Sequence, residues 1–198
     1  MRLATGYVAL DGMPHNMGGV AHTPEDVVLV FQECQRSLLP WLTARENVRW
    51  STMRTRMGAR EREEVVMSAL HETGLERHQN YFPHQLSGGL RQRLALARVL
   101  AHGSKVLLMD EPFNSLDVYA RYELEDVLRK IWQTRALTIV LVTHELEEAA
   151  YLAQRVVMLS KRPGTVREIV PLQRDDWSRA STEFDEIRRR LLDKVKVE

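Results

Sequence analysis

The chain has 198 residues, of which 44% are apolar and 28% are charged, and its formal net charge is +1. This composition is ordinary for a soluble globular protein of one compact domain, and it argues against a disordered chain, a membrane-embedded chain and a nucleic-acid-binding protein. The only cysteine, Cys34, excludes an internal disulfide and a cysteine-built zinc site.

Two strands are predicted in the first third of the sequence. Gly6 to Leu10 precedes Asp11-Gly12, which is typical of a short strand that enters a tight turn. Val27 to Phe31 is apolar without alternation, which predicts a strand that is buried on both faces. Gln32 then lies at the carboxyl end of that strand.

The segment from about residue 33 to residue 100 is predicted to form a helical subdomain inserted in the core. Thr43 and Glu46 have the spacing of a capping box, in which each side chain binds an exposed amide at a helix start. A second helix over about Arg60 to Thr73 carries apolar residues on one face, and Gly74 is a typical stop.

From Ser87 onward, predicted helices and strands alternate. In chain order they are a helix that ends at Gly103, a strand over 105–109, a helix that includes 124–131, a strand over 138–142, a helix over 145–154, a hairpin of 156–159 with 165–170, and a last helix over about 182–192. Such alternation predicts an α/β fold with a mostly parallel core sheet. Residues 171–198 form a tail that contains the last helix.

The polar side chains that directly follow predicted strands are Gln32, Asp110, Glu111 and His144. Because ligands bind beyond the carboxyl ends of parallel strands, we expect these side chains to converge on one rim of the sheet. Asp110 is predicted to hold Mg²⁺ on a nucleotide, and Glu111 to orient or deprotonate the attacking water. Alternatively, the two acids cap the next turn.

Three further signals have both a functional and a structural interpretation. His144 is suited to donate a hydrogen bond to a γ-phosphate or to hold the attacking water, and Gln32 to reach the metal and water. A lone histidine at a strand end more often has a structural role, and Gln32 is also compatible with an ordinary surface amide. Ser87-Gly88-Gly89 opens a helix with free backbone amides, which predicts an anion site; the alternative is a simple helix cap with a flexible turn.

A phosphate loop of the Gly-Lys-Ser/Thr type is not found in these residues. The first lysine is Lys105, and no lysine follows a glycine. The backbone amides and the lysine of such a loop make the main contacts to the nucleotide phosphates. The sequence therefore carries motifs for nucleotide hydrolysis, but these residues do not include the loop that makes the main contacts to the phosphates.

Taken in order, these segments resemble the motifs of the nucleotide-binding subunit of ABC transporters. Phe31-Gln32 is similar to the Q-loop, Leu86 to Gln92 to the signature motif, Val106 to Glu111 to Walker B, Ser115-Leu116-Asp117 to the D-loop, and Thr143-His144 to the switch histidine. The resemblance covers the chain from Gly6 to the last helix. It implies a P-loop NTPase-like, RecA-like fold, an ATPase activity, and ATP and Mg²⁺ as cofactors.

The resemblance also implies that the site is shared between subunits. Two such subunits, identical or different, pair head to tail, and each ATP lies between the phosphate loop of one and the signature motif of the other. The residues expected to contact ATP in trans are Ser87, Gly88, Gly89 and Gln92, with Asp117 in the D-loop beside them.

Further partners follow from the same resemblance. Leu38 to Trp41 is expected to meet transmembrane permease subunits, which in turn receive solute from a solute-binding protein. The chain is thus expected at the cytoplasmic face of the cell membrane as a peripheral protein, with no nucleic acid partner.

A finer resemblance concerns the transported solute. Leu38 to Thr43, Glu46 to Val48, Arg162-Pro163-Gly164 and Glu183-Phe184 are similar to the importer branch that serves nitrate, sulfonates, taurine and related small anions. A soluble ABC ATPase of DNA repair or chromosome maintenance is a less favoured alternative. Such proteins carry long coiled coils, whereas the residues between Gln32 and Ser87 show no sustained heptads.

Family members carry an adenine-stacking aromatic, a strand, the phosphate loop and its helix ahead of the segment that matches Gly6 to Gly12. The resemblance therefore implies one nucleotide-binding domain, residues 1–198, that is N-terminally truncated. Because the phosphate-loop strand lies in the core sheet, we expect its neighbours to lack backbone partners. One hypothesis is an ATPase subunit whose start was assigned too far downstream or whose gene was truncated; the other is a catalytically incompetent partner that supplies only its signature motif in trans.

Overall fold

The computed structural model describes residues 7–10, 27–30, 37–53, 55–135, 137–160 and 164–195. The strands are β1 (Tyr7–Leu10), β2 (Val27–Val30), β3 (Val106–Asp110), β4 (Thr138–Thr143), β5 (Arg155–Leu159) and β6 (Val166–Pro171). The helices are α1 (Ala44–Ser51), α2 (Ala59–Glu72), α3 (Gly88–His102), α4 (Val118–Thr134), α5 (Leu146–Leu152) and α6 (Thr182–Val195). This alternation confirms the predicted α/β class.

The chain divides into two compact units. The first comprises residues 1–21, 108–111 and 138–198, and the second comprises residues 22–107 and 112–137. The first unit therefore holds most of the sheet with helices α5 and α6. The second holds strand β2 and helices α1 to α4.

Within the first unit the strands lie in the order β3, β4, β1, β5, β6. Strand β1 is antiparallel to both β4 and β5, with Tyr7 opposite Thr143 on one side and Met158 on the other. Because both neighbours run opposite to β1, strands β4 and β5 are parallel to each other. The expectation that strands of the core sheet would lack backbone partners is therefore wrong for β4 and β5, since an antiparallel strand supplies the same hydrogen-bonding groups.

The predicted hairpin after β4 is confirmed as the antiparallel pair β5 and β6. Ser160 closes it, since its backbone N–H donates to the Thr165 carbonyl at 2.9 Å. The residues Arg162 and Pro163, which carry part of the finer resemblance, lie outside the described residues. Helix α6 buries Phe184, Ile187 and Leu191 on one face and packs on α5.

Helix α3 is the centre of the second unit and packs against α1, α2 and α4. Its boundaries follow the sequence signals, since Ser87 caps the first turn and Gly103 ends the helix with a left-handed φ of 82°. Leu94, Ala97 and Leu100 form part of its buried face. The helical pattern predicted for this segment is therefore confirmed, as is the capping box of Thr43 and Glu46 at the start of α1.

Charged side chains connect the helices of the second unit. Arg135 donates to both carboxylate oxygens of Glu72, at 2.7 and 2.6 Å, and to the Leu100 carbonyl at 3.2 Å. Arg93 donates to Glu123 at 2.8 Å. These contacts fix the end of α2, the end of α3 and the body of α4 relative to one another.

One prediction for β2 is not met. Val27 and Val28 are half-buried and Val30 is buried, although the apolar run predicts burial on both faces. β2 is an edge strand, so its outer residues keep part of their solvent contact. Phe31 and Gln32 lie outside the described residues. Among the helices that the structure describes, none is long and apolar enough to cross a bilayer.

Candidate functional site

Two acids stand at the carboxyl end of β3, in the first unit. Asp110 is the last residue of the strand and is exposed, whereas the preceding Met109 is buried. Glu111 follows with a φ of 46°, a left-handed conformation that costs a non-glycine residue about 1–2 kcal/mol. Its backbone N–H donates to the Val142 carbonyl at 2.8 Å, which ties the strained residue to β4. Strain of this kind clusters at functional positions.

His144 lies directly after β4 and faces Glu111. Its Nδ1 is 3.1 Å from Glu111 Oε1, and its Nε2 is 3.5 Å from Glu145 Oε1. An ionised carboxylate only accepts hydrogen bonds, so Nδ1 carries the proton in this contact. The side chain of His144 is 47% exposed and that of Glu111 is 27% exposed, so solvent reaches the pair. The strand ends thus bring together an acid and an imidazole, as the sequence predicts.

A buried hydrogen-bonded pair that the sequence did not indicate lies behind His144. The hydroxyl of Thr143 donates to Glu148 Oε2 at 2.5 Å, and both residues are almost fully buried. The same hydroxyl accepts from the Glu145 N–H at 3.0 Å. The sequence signal for this pair was that Glu148 precedes two small apolar residues, Ala149 and Ala150. Because the exposed Glu147 lies next to it in the same helix, the pattern alone did not show which acid is buried.

The predicted anion site at the start of α3 belongs to the second unit. Ser87 is exposed, and its Oγ accepts from the Leu90 N–H at 3.3 Å as a helix cap. A Cβ built on Gly89 would lie 3.2 Å from the Cβ of Ala120 in α4, which is tighter than ordinary contact. A Cβ on Gly88 would meet only Leu116 Cδ2, at 3.9 Å. Gly89 therefore allows α3 to approach α4 closely.

Two residues predicted to contact ATP use their side chains within the second unit. Gln92 is only 4% exposed, and its amide donates to the Pro112 carbonyl. Asp117 is the N-cap of α4, where Oδ1 accepts from the Ala120 N–H at 3.0 Å. Both contacts fix the position of the predicted motifs. Gln32, the remaining predicted site residue, lies outside the described residues.

The donor set for a metal is small. Among the described residues, no group of three or more His, Cys, Asp or Glu side chains is arranged to hold a metal ion. Asp110 offers one exposed carboxylate at the strand end. This suits Mg²⁺, which commonly takes one or two protein carboxylates and completes its shell with phosphate oxygens and water.

Comparison with known proteins gives the family. The profile of the ABC transporter family matches residues 1–114. An uncharacterised ABC transporter ATP-binding protein of Methanocaldococcus jannaschii is 40% identical over 98% of this chain and 70% of its own length. An aliphatic sulfonates import ATP-binding protein of Bacillus licheniformis is 35% identical over 82% of this chain and 62% of its own. A nitrate import ATP-binding protein of Synechocystis is 43% identical over 70% and 52%. The chain thus spans between about half and 70% of the length of these relatives.

Solved structures agree with these relatives. A subunit of the ABC transporter complex cbiONQ of Clostridium perfringens superposes with a TM-score of 0.63 and 27% identity, over 66% of this chain and 52% of that one. A dimeric ATP-binding cassette in a post-hydrolysis state, bound to ADP and Pi, gives a TM-score of 0.59 and 32% identity over 76% and 65%. The fold is therefore the P-loop NTPase-like fold that the sequence predicts, and the chain belongs to the ABC transporter family of ATP-binding proteins.

Proposed function

We propose that this chain acts in an ATP-hydrolysing, energy-coupling subunit of an ABC import system for a small anion of the nitrate or sulfonate type. The observation that carries the proposal is the contact between Glu111 and His144 at the ends of β3 and β4. The likeness to sulfonate and nitrate import proteins supports the class of solute. By family the protein is an ATPase, with ATP as its nucleotide.

Asp110 would hold Mg²⁺ at the phosphates. The ion neutralises negative charge on the β- and γ-phosphates when it is bound. Asp110 is suited to this role because its carboxylate is exposed at the strand end, next to the strained Glu111.

Glu111 and His144 would act on the water and the outer phosphate. The Glu111 carboxylate orients the water and takes its proton, and general-base catalysis of this kind contributes about 10²–10⁴ in rate. His144 Nδ1–H holds that carboxylate in place, since it donates to Oε1. As the imidazolium, in which both ring nitrogens carry a proton, His144 would also donate from Nε2–H to the γ-phosphate once the contact with Glu145 opens.

The signature segment would serve the ATP of a second subunit. Ser87, Gly88 and Gly89 present backbone amides at the start of the 15-residue helix α3, where the helix dipole favours an anion. Gln92 and Asp117, which are hydrogen-bonded inside the second unit, would hold this segment and the D-loop in position.

The proposed subunit has one nucleotide-binding domain, and its partners are a second ATPase subunit and transmembrane permease subunits. Trp41, with 69% of its surface exposed, would be part of the permease contact. The buried amide of Asn47 shapes the loop around it through hydrogen bonds to Leu39, Leu42 and Thr43. The location that follows is the cytoplasmic face of the membrane, with a solute-binding protein as an indirect partner.

A second candidate is a partner subunit that only lends its signature motif in trans. The observation that favours it is the start of α3 at Ser87-Gly88-Gly89, which presents backbone amides to a ligand. Both candidates require that Ser87-Gly88-Gly89 completes a site on another subunit.

The test mixes the purified chain with the Bacillus licheniformis sulfonate import protein in which the residue aligned with Ser87 is replaced by arginine. A mixed dimer would then have to take its signature motif from the chain. We expect ATP hydrolysis above that of either protein alone, and no rise with a Ser87→Arg chain. Co-elution of the two proteins as a heterodimer without any rise in hydrolysis would contradict the proposal.

A further inference from the structure

The turn that carries His144 is fixed by one buried hydroxyl. Thr143, the last residue of β4, is 1% exposed. Its Oγ1 accepts from the Glu145 N–H and donates to Glu148 Oε2. His144 lies between two residues that this hydroxyl connects, so the hydroxyl restrains the backbone on both sides of the histidine.

The position of Glu148 is fixed because its helix, α5, is held at its carboxyl end by hydrogen bonds. The guanidinium of Arg174 donates to the carbonyls of Tyr151 and Ala153, at 3.4 and 2.7 Å, where α5 ends. The guanidinium of Arg179 lies 3.4 Å from the centre of the Tyr151 ring. A carboxylate on such a helix holds the Thr143 hydroxyl at a fixed place.

The imidazole itself has little packing to orient it. Almost half of the His144 side chain is exposed, and its two nitrogens contact carboxylates on opposite sides of the ring, Glu111 and Glu145. Either carboxylate can accept a hydrogen bond from a ring N–H, so these contacts alone do not determine which nitrogen faces Glu111. The position of the backbone is then what orients the ring. The Thr143 hydroxyl sets that backbone.

We propose that Thr143 and Glu148 are positioning residues that keep Nδ1–H of His144 directed at Glu111. The proposal rests on the proposed function, in which His144 and Glu111 act together on the phosphate and the water. It assigns a purpose to a buried acid that the hydrolysis itself does not use. It also separates Glu148 from its neighbour Glu147, which forms a half-exposed ion pair with Arg188.

The experiment is nitrogen NMR of the 198-residue chain with labelled histidine, at a pH where the imidazole is neutral. The ring nitrogens report which nitrogen carries the proton, and the His144 signals are identified by their loss in His144→Gln. In the wild-type chain we expect Nδ1 to be protonated. In Thr143→Val, which keeps the side-chain shape and removes the hydroxyl, we expect this preference to be lost and the signals to move toward those of the exposed His84.

Three further variants complete the test. Thr143→Ser retains a hydroxyl and should restore the wild-type signals. Glu148→Leu removes the acceptor at similar volume and should cause the same loss of the Nδ1–H preference. It tests the same contact if Thr143→Val does not fold. Glu147→Gln is the matched control on the same helix and should leave the His144 signals unchanged.

Folded Thr143→Val or Glu148→Leu with the wild-type His144 signals would overturn the proposal, since a role in stability alone leaves the protonated nitrogen unchanged. This readout needs no nucleotide and no partner subunit. Failure of the mixed ATPase assay with an intact Nδ1–H signal would therefore count against the proposed function and not against the positioning role.

Discussion

The two regions that carry the predicted motifs differ in what their polar side chains do. At the strand ends of the first unit, Glu111 and His144 face each other in contact with solvent, and Glu111 has a strained backbone. In the second unit, Ser87 and Asp117 cap helices and Gln92 is buried against a carbonyl. The first region keeps reactive groups available at a cost in stability, whereas the second uses its side chains for structure and leaves backbone amides for a ligand.

The largest effect on stability should come from the ion pair that connects the helices of the second unit. We expect Arg135→Met to lower the free energy of unfolding by about 2 kcal/mol, because it leaves the half-buried Glu72 carboxylate without its charged partner. Urea unfolding measures this loss. Arg60→Met, which removes the exposed Arg60–Glu64 pair, is the control and should change little.

The same pair has a predictable pH dependence. Partial burial raises the pKa of Glu72, but the hydrogen bonds from Arg135 and Ser68, with the charges of Arg135 and His71, outweigh it, so the pKa is lowered from its ordinary value of 4.5. A carboxyl with a depressed folded-state pKa contributes stability above its unfolded pKa, and this is lost as the pH falls through the folded value. Stability should thus fall less steeply on the acid side in Arg135→Met than in the wild-type chain; an equal slope would contradict the assignment.

The cap at the start of α3 gives the next effect. Ser87→Ala should cost about 1 kcal/mol, since the Leu90 N–H loses its acceptor. Ser87→Asp should keep the stability of the wild-type chain, because aspartate is an equally good cap. Thermal unfolding of the wild type and the two variants measures these differences in stability. Equal melting temperatures for all three would show that Ser87 has no structural role.

Much of this contrast was predictable from sequence, for local reasons. The helix signals at Thr43, Ser87 and Gly103, and the acids after a buried strand, depend on residues within one turn or one strand. The antiparallel pairing of β1 depends on strands far apart in sequence, so local patterns do not determine it. The Thr143–Glu148 bond and the inward direction of Gln92 depend on which side of a helix packs, and a spacing alone does not give that.

Because the backbone of Glu111 is strained, a glycine variant at this position should be more stable than an alanine variant, which is the reverse of the usual order. With φ at 46°, we expect Glu111→Gly to be more stable than Glu111→Ala by about 1 kcal/mol, because only glycine adopts this conformation freely. At Glu147, within α5, alanine should be the more stable by a similar amount. Denaturant unfolding of the four variants provides the comparison, and the same order at both positions would remove the argument from strain.

The smallest expected effect concerns the two glycines of the signature segment. Gly89→Ala places a Cβ 3.2 Å from Ala120, whereas Gly88→Ala has space. We expect Gly88→Ala to be the more stable by about 0.5 kcal/mol, since only the other variant crowds α4. Calorimetric melting of the pair resolves this, and the opposite order would mean that α3 and α4 separate easily.

The most direct measurement is ATP hydrolysis in the mixed assay with the signature-defective host, using Ser87→Asp and Glu111→Gln side by side. Both chains should fold like the wild type. If the chain lends its signature motif to a site on the other subunit, Ser87→Asp abolishes the stimulation by repelling phosphate, and Glu111→Gln leaves it intact. Stimulation that survives Ser87→Asp but is lost in Glu111→Gln would contradict the division between the two regions.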